Sequence, residues 1–190
     1  MPPLSASLHG SALLGVAGIP SVSESTMIAR DCALASYEDG RIHLQHLSAR
    51  ESVDAIADAK ARGLAVTCET SPHHLTMIDE DVRTLDTARK MNPPLREAAD
   101  RDALIEVLRS GVIDCIATDH APHARDEKEI PFEQAPMGTT GLETAFAAVY
   151  TISSCRGRCR WRWSSRSSRR GWGASSRRSA TTCDHSRARR

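Results

Sequence analysis

The chain has 190 residues with 25 Lys+Arg, 24 Asp+Glu and eight His. That is enough for one domain with a core, but short of the roughly 250 residues of a complete (β/α)8 barrel. The near-neutral total hides two unlike parts: residues 1–151 hold 13 Lys+Arg against 23 Asp+Glu, a net −10, whereas residues 152–190 hold 12 Arg and one acid, a net +11. No apolar run reaches the roughly 18 residues of a membrane-spanning helix, and the N-terminal stretch lacks a basic region, so neither a signal peptide nor a membrane anchor is expected. Cys32, Cys68 and Cys115 stand singly among apolar neighbours and read as buried, reduced thiols. Cys155, Cys159 and Cys183 form no zinc-type CxxC pair. Nothing suggests a disulfide framework, which points to a reducing, cytoplasmic setting.

From residue 41 the pattern alternates. Arg41–His46 reads as a strand ending at His46. Ser48-Ala-Arg-Glu51 then reads as a capping box that opens a helix carrying Val53, Ile56, Ala57 and Lys60, with Gly63 as its stop. Leu64–Thr70 is the next strand, closed by Ser71-Pro72. Glu97–Ser110 carries Leu104, Ile105, Val107 and Leu108 at helical spacing and ends at Gly111. Val112–Thr118 is nearly continuous and apolar, as in a strand buried on both faces of a parallel sheet. Gly141–Tyr150 predicts one more helix. Strand–helix alternation of this kind makes an α/β fold with a parallel sheet, in which chemistry gathers at the carboxyl ends of strands. His46, His73-His74 and Asp119-His-Ala-Pro-His123 all fall at such ends.

Residues 152–190 break from this pattern, with ten Ser, twelve Arg, all three Trp and Ile152 as their single Val/Ile/Leu/Met/Phe residue. Such a segment cannot bury enough apolar surface to offset its ordering entropy. The competing readings are a disordered basic tail, a segment translated out of frame, and an arginine-rich nucleic-acid-binding extension; no function is assigned to it.

Within Ile116–His123 an apolar strand delivers a carboxylate to its end, and two imidazoles follow within four residues. Asp and neutral His are zinc ligands, and a carboxylate beside an activated nucleophile can take a proton and return it to a leaving nitrogen. Spacing alone leaves the alternative that Asp119 merely caps the following turn.

Lys90-Met-Asn-Pro-Pro-Leu-Arg96, Ile113-Asp-Cys-Ile-Ala-Thr-Asp-His-Ala-Pro-His123, Glu127-Lys128, Pro131-Phe-Glu133, Ala135-Pro-Met-Gly138, Gly141-Leu-Glu-Thr144 and His43-Leu-Gln-His-Leu-Ser48 together resemble the bacterial dihydroorotases. The resemblance runs in one ordered series over about residues 3–151. Hydantoinases and allantoinases share the Asp-His strand end but differ in the Asn-Pro-Pro-Leu-Arg and Pro-Met-Gly regions. The resemblance implies a zinc-dependent cyclic amidohydrolase on a distorted (β/α)8 TIM-like barrel, interconverting N-carbamoyl-L-aspartate and L-dihydroorotate in pyrimidine synthesis. It makes His46, at the end of the sixth strand, a zinc ligand. Asp119, at the end of the eighth, becomes a zinc ligand and the catalytic acid/base. Asn92 and His123 hold the substrate, and the backbone of Met137-Gly138 contacts the pyrimidine ring, Met137 standing where the family commonly has Phe.

Other histidines have blander readings. His43 is packing or surface, His73-His74 a structural turn ahead of a ligand pair, and His120 a residue that orients the loop after Asp119. His9 and His185 are solvated. Residues 124–136, charged and punctuated by proline, predict a mobile loop over the site.

The family's His-x-His-x-Arg motif and its ligands on strands four and five have no counterpart here. The resemblance therefore implies a partial barrel, the last three βα units over residues 1–151, followed by the basic tail 152–190. Two of the ligands that hold two zinc ions in the complete site are present. The expectation is a chain that binds zinc weakly, is inactive alone, and associates through an uncovered strand edge and an uncovered apolar sheet face. A small-molecule substrate is implied, with no membrane or nucleic-acid partner. A homo-oligomer, or a non-catalytic scaffold docked on another enzyme of the pathway, stays open beside the enzyme reading.

Overall fold

The computed structural model describes residues 11–155 apart from Leu13. Expectations for His9, for His185 and for the tail beyond residue 155 lie outside the described residues. Helix α1 (Ser21–Tyr37) leads into strand β1 (Ile42–Leu44), α2 (Arg50–Ala61), β2 (Val66–Thr70) and a one-turn α3 (Pro72–Thr76). Two short 3-10 turns follow, then α4 (Ala98–Ser110), β3 (Cys115–Ile116), a short α5 (Arg125–Lys128) and α6 (Ala145–Cys155). The strands form one parallel sheet in the order β1-β2-β3, with Leu44 beside Cys68 and Glu69 beside Cys115.

The helices cover one face of this sheet. Leu44, Val66 and Cys68 pack with Ile28 and Cys32 of α1, Val53, Ile56 and Ala59 of α2, and Leu104, Ile105 and Leu108 of α4. A second, smaller cluster gathers Val16, Val82, Met91, Leu95 and Phe132. Side chains alternate along a strand, so His43, Thr67, Glu69 and Cys115 stand on the face away from the helices. That uncovered face is therefore polar, which corrects the expectation of an apolar one. Most of the large exposed apolar residues lie instead on the outer surfaces of helices, Val22, Met27, Leu34 and Tyr37 on α1 and Phe146 and Tyr150 on α6.

Other expectations change for local reasons. The residues called a capping box do not cap α2: its N-cap is Ala49, with no side-chain hydrogen bond of its own. The Glu24 carboxylate of α1 instead accepts from the backbone N–H groups of Ser48 (3.0 Å) and Ala49 (3.1 Å) and from the Ser52 hydroxyl (2.7 Å). Asp100 of α4 accepts from the Arg50 N–H at 3.0 Å. Two carboxylates from neighbouring helices thus sit at the positive end of the α2 dipole. Buried Arg96 faces Glu24 and donates to Ser48 Oγ at 3.0 Å.

The strand expected over 112–118 is reduced to two residues. The Asp114 side chain takes the Cys68 N–H at 2.8 Å and the Lys60 ammonium at 2.6 Å ahead of it. Cys115 is exposed, not buried, because it lies on the open face. The last helix begins at Ala145, not Gly141, since His120 Nδ1 accepts from the N–H groups of Gly141 and Leu142 and holds that turn. Residues 124–136 are tied down and do not form a free loop. Lys128 Nζ donates to the carbonyls of Thr87, Pro136 and Gly138, and buried Lys90 Nζ to those of Phe132 and Glu133. No described helix is long and apolar enough to cross a membrane.

Candidate functional site

Just past the ends of β1 and β3 the chain takes a left-handed backbone at His46 (φ 56°) and Asp119 (φ 47°). Neither is glycine, so both conformations carry strain that the surrounding structure must hold. They turn the two side chains towards each other across the end of β2, with His46 Nε2 3.6 Å from Asp119 Oδ1. Both are partly exposed.

His73, from α3 just past the end of β2, completes the group. It is buried, its Nε2 has no hydrogen-bond partner, and that atom lies 3.9 Å from Asp119 Oδ2. Burial, with His74 beside it, pushes the His73 imidazole down to about 3, so it is neutral at physiological pH. His74 behaves differently. Its Nδ1 accepts from the Ser71 hydroxyl at 2.7 Å and its Nε2 donates to the Pro93 carbonyl at 3.0 Å. The structural reading of the His73-His74 pair therefore fits His74, whereas His73 points its free nitrogen at the site. Sequence reasoning also passed over Glu69, whose Oε1 lies 3.3 Å from His46 Nδ1 without forming a hydrogen bond. The available signal was an acid in a strand between Cys68 and Thr70.

His123, Met137 and Gly138 form a second group around the segment after Asp119, with Asn92 on the neighbouring loop. His123 Nε2 donates to the Met137 carbonyl at 2.9 Å. The Gly138 N–H donates to the Lys90 carbonyl at 2.9 Å, and Ala121 N–H to that of Thr139 at 3.0 Å. These bonds bring the 137–139 backbone against the strand end and against the loop that carries exposed Asn92. Gly138 has φ +133°, and a Cβ there would stand 2.8 Å from Ala121 Cβ and 2.9 Å from His123 Nε2, so only glycine fits. A cleft of about 380 Å³ opens beside His73 between α3 and α6, lined in part by Met77, Thr139, Thr144 and Ala148.

An imidazole nitrogen and a carboxylate 3.6 Å apart match two ligands of one zinc ion, whose N···O edge is about 3.3 Å for bonds of about 2.0–2.1 Å in a tetrahedron. The orphaned, neutral Nε2 of His73 is a third donor facing the same carboxylate. Around Asp119 the described residues thus offer His46 and, farther off, His73 to one zinc ion.

No family model matches the chain. Among curated proteins it is 54% identical over 138 residues to the dihydroorotase of Staphylococcus aureus (strain N315), covering 73% of this chain and 32% of that protein. It is 56% identical over 137 residues to the dihydroorotase of Geobacillus thermodenitrificans (strain NG80-2), covering 72% and 32%. Among solved structures it is similar to the dihydropyrimidinase of Brevibacillus agri (TM-score 0.65, 25% identity, 69% of this chain and 30% of that one). It is likewise similar to the L-hydantoinase of Arthrobacter aurescens (TM-score 0.63, 30% identity, 66% and 28%). The chain spans about a third of the length of the relatives it matches. It is thus a homologue of the bacterial dihydroorotases, built on a piece of the amidohydrolase fold.

Proposed function

We propose that this chain carries part of the catalytic centre of a dihydroorotase, the cyclic amidohydrolase that interconverts N-carbamoyl-L-aspartate and L-dihydroorotate in the cytoplasm, and that it does not turn over substrate by itself. The observation that carries the reading is the convergence of His46 and Asp119, 3.6 Å apart, on strained strand ends of one parallel sheet. Identity of 54–56% to dihydroorotases, against 25–30% to the hydantoinase and dihydropyrimidinase structures, favours dihydroorotate over other cyclic amides.

In this reading His46 and Asp119 hold a zinc ion, with His73 as a further donor on the same side. Zinc bound there supplies Lewis-acid polarisation of the carbonyl that reacts. As the ring closes, the carbamoyl nitrogen attacks the side-chain carboxyl carbon, and Asp119 would take the nitrogen's proton and pass it to the oxygen that leaves as water. As the ring opens, water adds to that carbonyl carbon, and Asp119 would take the water's proton and deliver it to the nitrogen as the C–N bond breaks. Asn92 and His123 hold the carboxylate-bearing substrate, and the Met137-Gly138 backbone lies against the ring. His123 is already oriented for this by its bond to the Met137 carbonyl.

The test is a chimera. Residues 14–151 replace the corresponding segment of the Staphylococcus aureus relative, and dihydroorotate hydrolysis is assayed beside the 190-residue chain alone. The chimera is expected to turn over, and Asp119→Asn to abolish that turnover; the chain alone is expected to show none. A folded but dead chimera overturns the catalytic assignment, and turnover by the isolated chain overturns its inactivity.

A further inference from the structure

We infer that the open face of the sheet carries a second metal site, formed by His43, Glu69 and Cys115, that takes a zinc-like divalent cation with a thiolate ligand. It adjoins the His46–Asp119 pair, since the other carboxylate oxygen of Glu69 lies 3.3 Å from His46 Nδ1, but shares no ligand with it. β1, β2 and β3 each contribute one side chain to it. Glu69 and Cys115 are direct neighbours across the β2–β3 ladder. His43 is paired with Thr67, two residues before Glu69 on the same face.

The donor atoms already have the spacing of a coordination sphere. His43 Nε2 is 3.1 Å from Glu69 Oε2, Cys115 Sγ is 3.8 Å from that oxygen, and the three ligand atoms all lie within 4.8 Å of one another. A tetrahedral zinc ion with a sulfur bond of about 2.3 Å and N and O bonds of about 2.0–2.1 Å has ligand edges of about 3.3–3.6 Å.

The hydrogen bonds around the cluster aim its donor atoms at one place. The Thr67 hydroxyl contacts His43 Nδ1 at 2.8 Å and the Ile42 carbonyl at 3.4 Å. His43 Nε2 is hydrogen-bonded to Glu69 Oε2 at 3.1 Å, and a cation bound there would replace the proton that these two atoms share. The Glu69 side chain is only 9% exposed, and a buried carboxylate needs a compensating charge. Thr67 supplies the outer hydrogen bond that fixes a ligating imidazole. Imidazole, carboxylate and thiolate together select zinc or cobalt over magnesium or calcium. The Cys115 thiol proton passes to solvent as the metal binds, and the exposed side of the cluster leaves the fourth position to water.

The test uses cobalt(II) titration of the full 190-residue chain with Cys155, Cys159 and Cys183 changed to Ser, followed by absorption. A thiolate-to-cobalt charge-transfer band that saturates near one equivalent is expected. The band should vanish in Cys115→Ser and in His43→Ala, weaken about tenfold or more in affinity in Glu69→Gln, and persist in Asp119→Asn. Circular dichroism of each variant confirms that it is folded. The absence of any band in the folded parent overturns the site and leaves His43 hydrogen-bonded to Glu69. So does a band that survives Cys115→Ser, or one that Asp119→Asn abolishes. Activity of the chimera does not enter the readout, so failure here is distinguishable from failure of the dihydroorotase reading.

Discussion

The two faces of the three-stranded sheet share a backbone and differ in almost everything else. On the helix side Leu44, Val66 and Cys68 are closed over by α1, α2 and α4. On the other side His43, Thr67, Glu69 and Cys115 are held by hydrogen bonds and ionic contacts to one another and make no apolar core. Adjacent residues such as Cys68 and Glu69 therefore answer to different physics. The first stabilises the fold by excluded water, and the second holds a charge that must find a partner. Burial has a visible effect on the thiols: Cys68, at 0% exposure, is pushed up to about 12 by desolvation, and Cys115 on the open face to about 11 by partial burial and the Glu69 carboxylate.

Removing bulk from the covered face gives the largest change. Leu104 is 0% exposed at the centre of the cluster, so Leu104→Ala is expected to cost about 3–4 kcal/mol by urea unfolding. A cost below about 1 kcal/mol would mean that the helices do not pack on the sheet as described. Next comes the network that holds α2. Glu24→Gln removes the charge that accepts four N–H or O–H groups, from Ser48 N–H and O–H, Ala49 N–H and Ser52 O–H, and faces buried Arg96. It is expected to cost about 2 kcal/mol, with Arg96→Met restoring part of the loss in the double variant, because the stranded guanidinium is then gone.

This network also marks where the sequence stopped being readable. Amphipathic periodicity placed α2 and α4, and Gly63 and Gly111 marked their ends, since a local pattern reports a local structure. The Ser48–Glu51 box failed because Glu24, from a helix with weak periodicity that the pattern did not reveal, reaches those amides first. At the site, His46 and Asp119 were readable as strand-end residues, and the structure brings them together. The unpartnered nitrogen of His73 was not, because the Pro93 carbonyl, 19 residues further along the chain, decides with Ser71 which of two adjacent histidines is satisfied. The polar open face was hidden for a similar reason. Val112–Thr118 looks apolar as a run, but the alternation of a strand with one covered face puts Cys115 on the other side.

The acid response sharpens the contrast between buried and open histidines. Burial pushes His74 down to about 4. Its folded pKa lies below the unfolded value of about 6.5, so the unfolded chain takes up the proton first as the pH falls. Stability is then full above about pH 6.5 and is lost between there and about pH 4. The expected loss from this residue is on the order of 2 kcal/mol at pH 5. His74→Gln, which keeps a donor and an acceptor near Ser71 and Pro93, is expected to be less stable at pH 7 but to show a flatter pH profile between 4 and 6.5. An unchanged slope would place the acid sensitivity elsewhere.

The smallest expected effect on stability separates the two faces most cleanly. Cys115→Ser alters an exposed side chain whose only hydrogen bond is a long contact to Glu69, so metal-free unfolding is expected to shift by no more than about 0.5 kcal/mol. The same substitution in Cys68, buried under the helices, places a hydroxyl in an apolar cluster and is expected to cost about 1–2 kcal/mol. With zinc present the order changes. A cation that binds only the folded chain raises its stability by RT ln(1 + [L]/Kd), so the parent gains a zinc-dependent rise in melting temperature that Cys68→Ser keeps in full and Cys115→Ser reduces to what the His46–Asp119 pair supplies. Equal zinc responses in the two variants would show that the open face, for all its polarity, holds no cation. The hydrogen bonds of His43 to Thr67 and Glu69 and of Cys115 to Glu69 would then be what stabilises that side of the sheet.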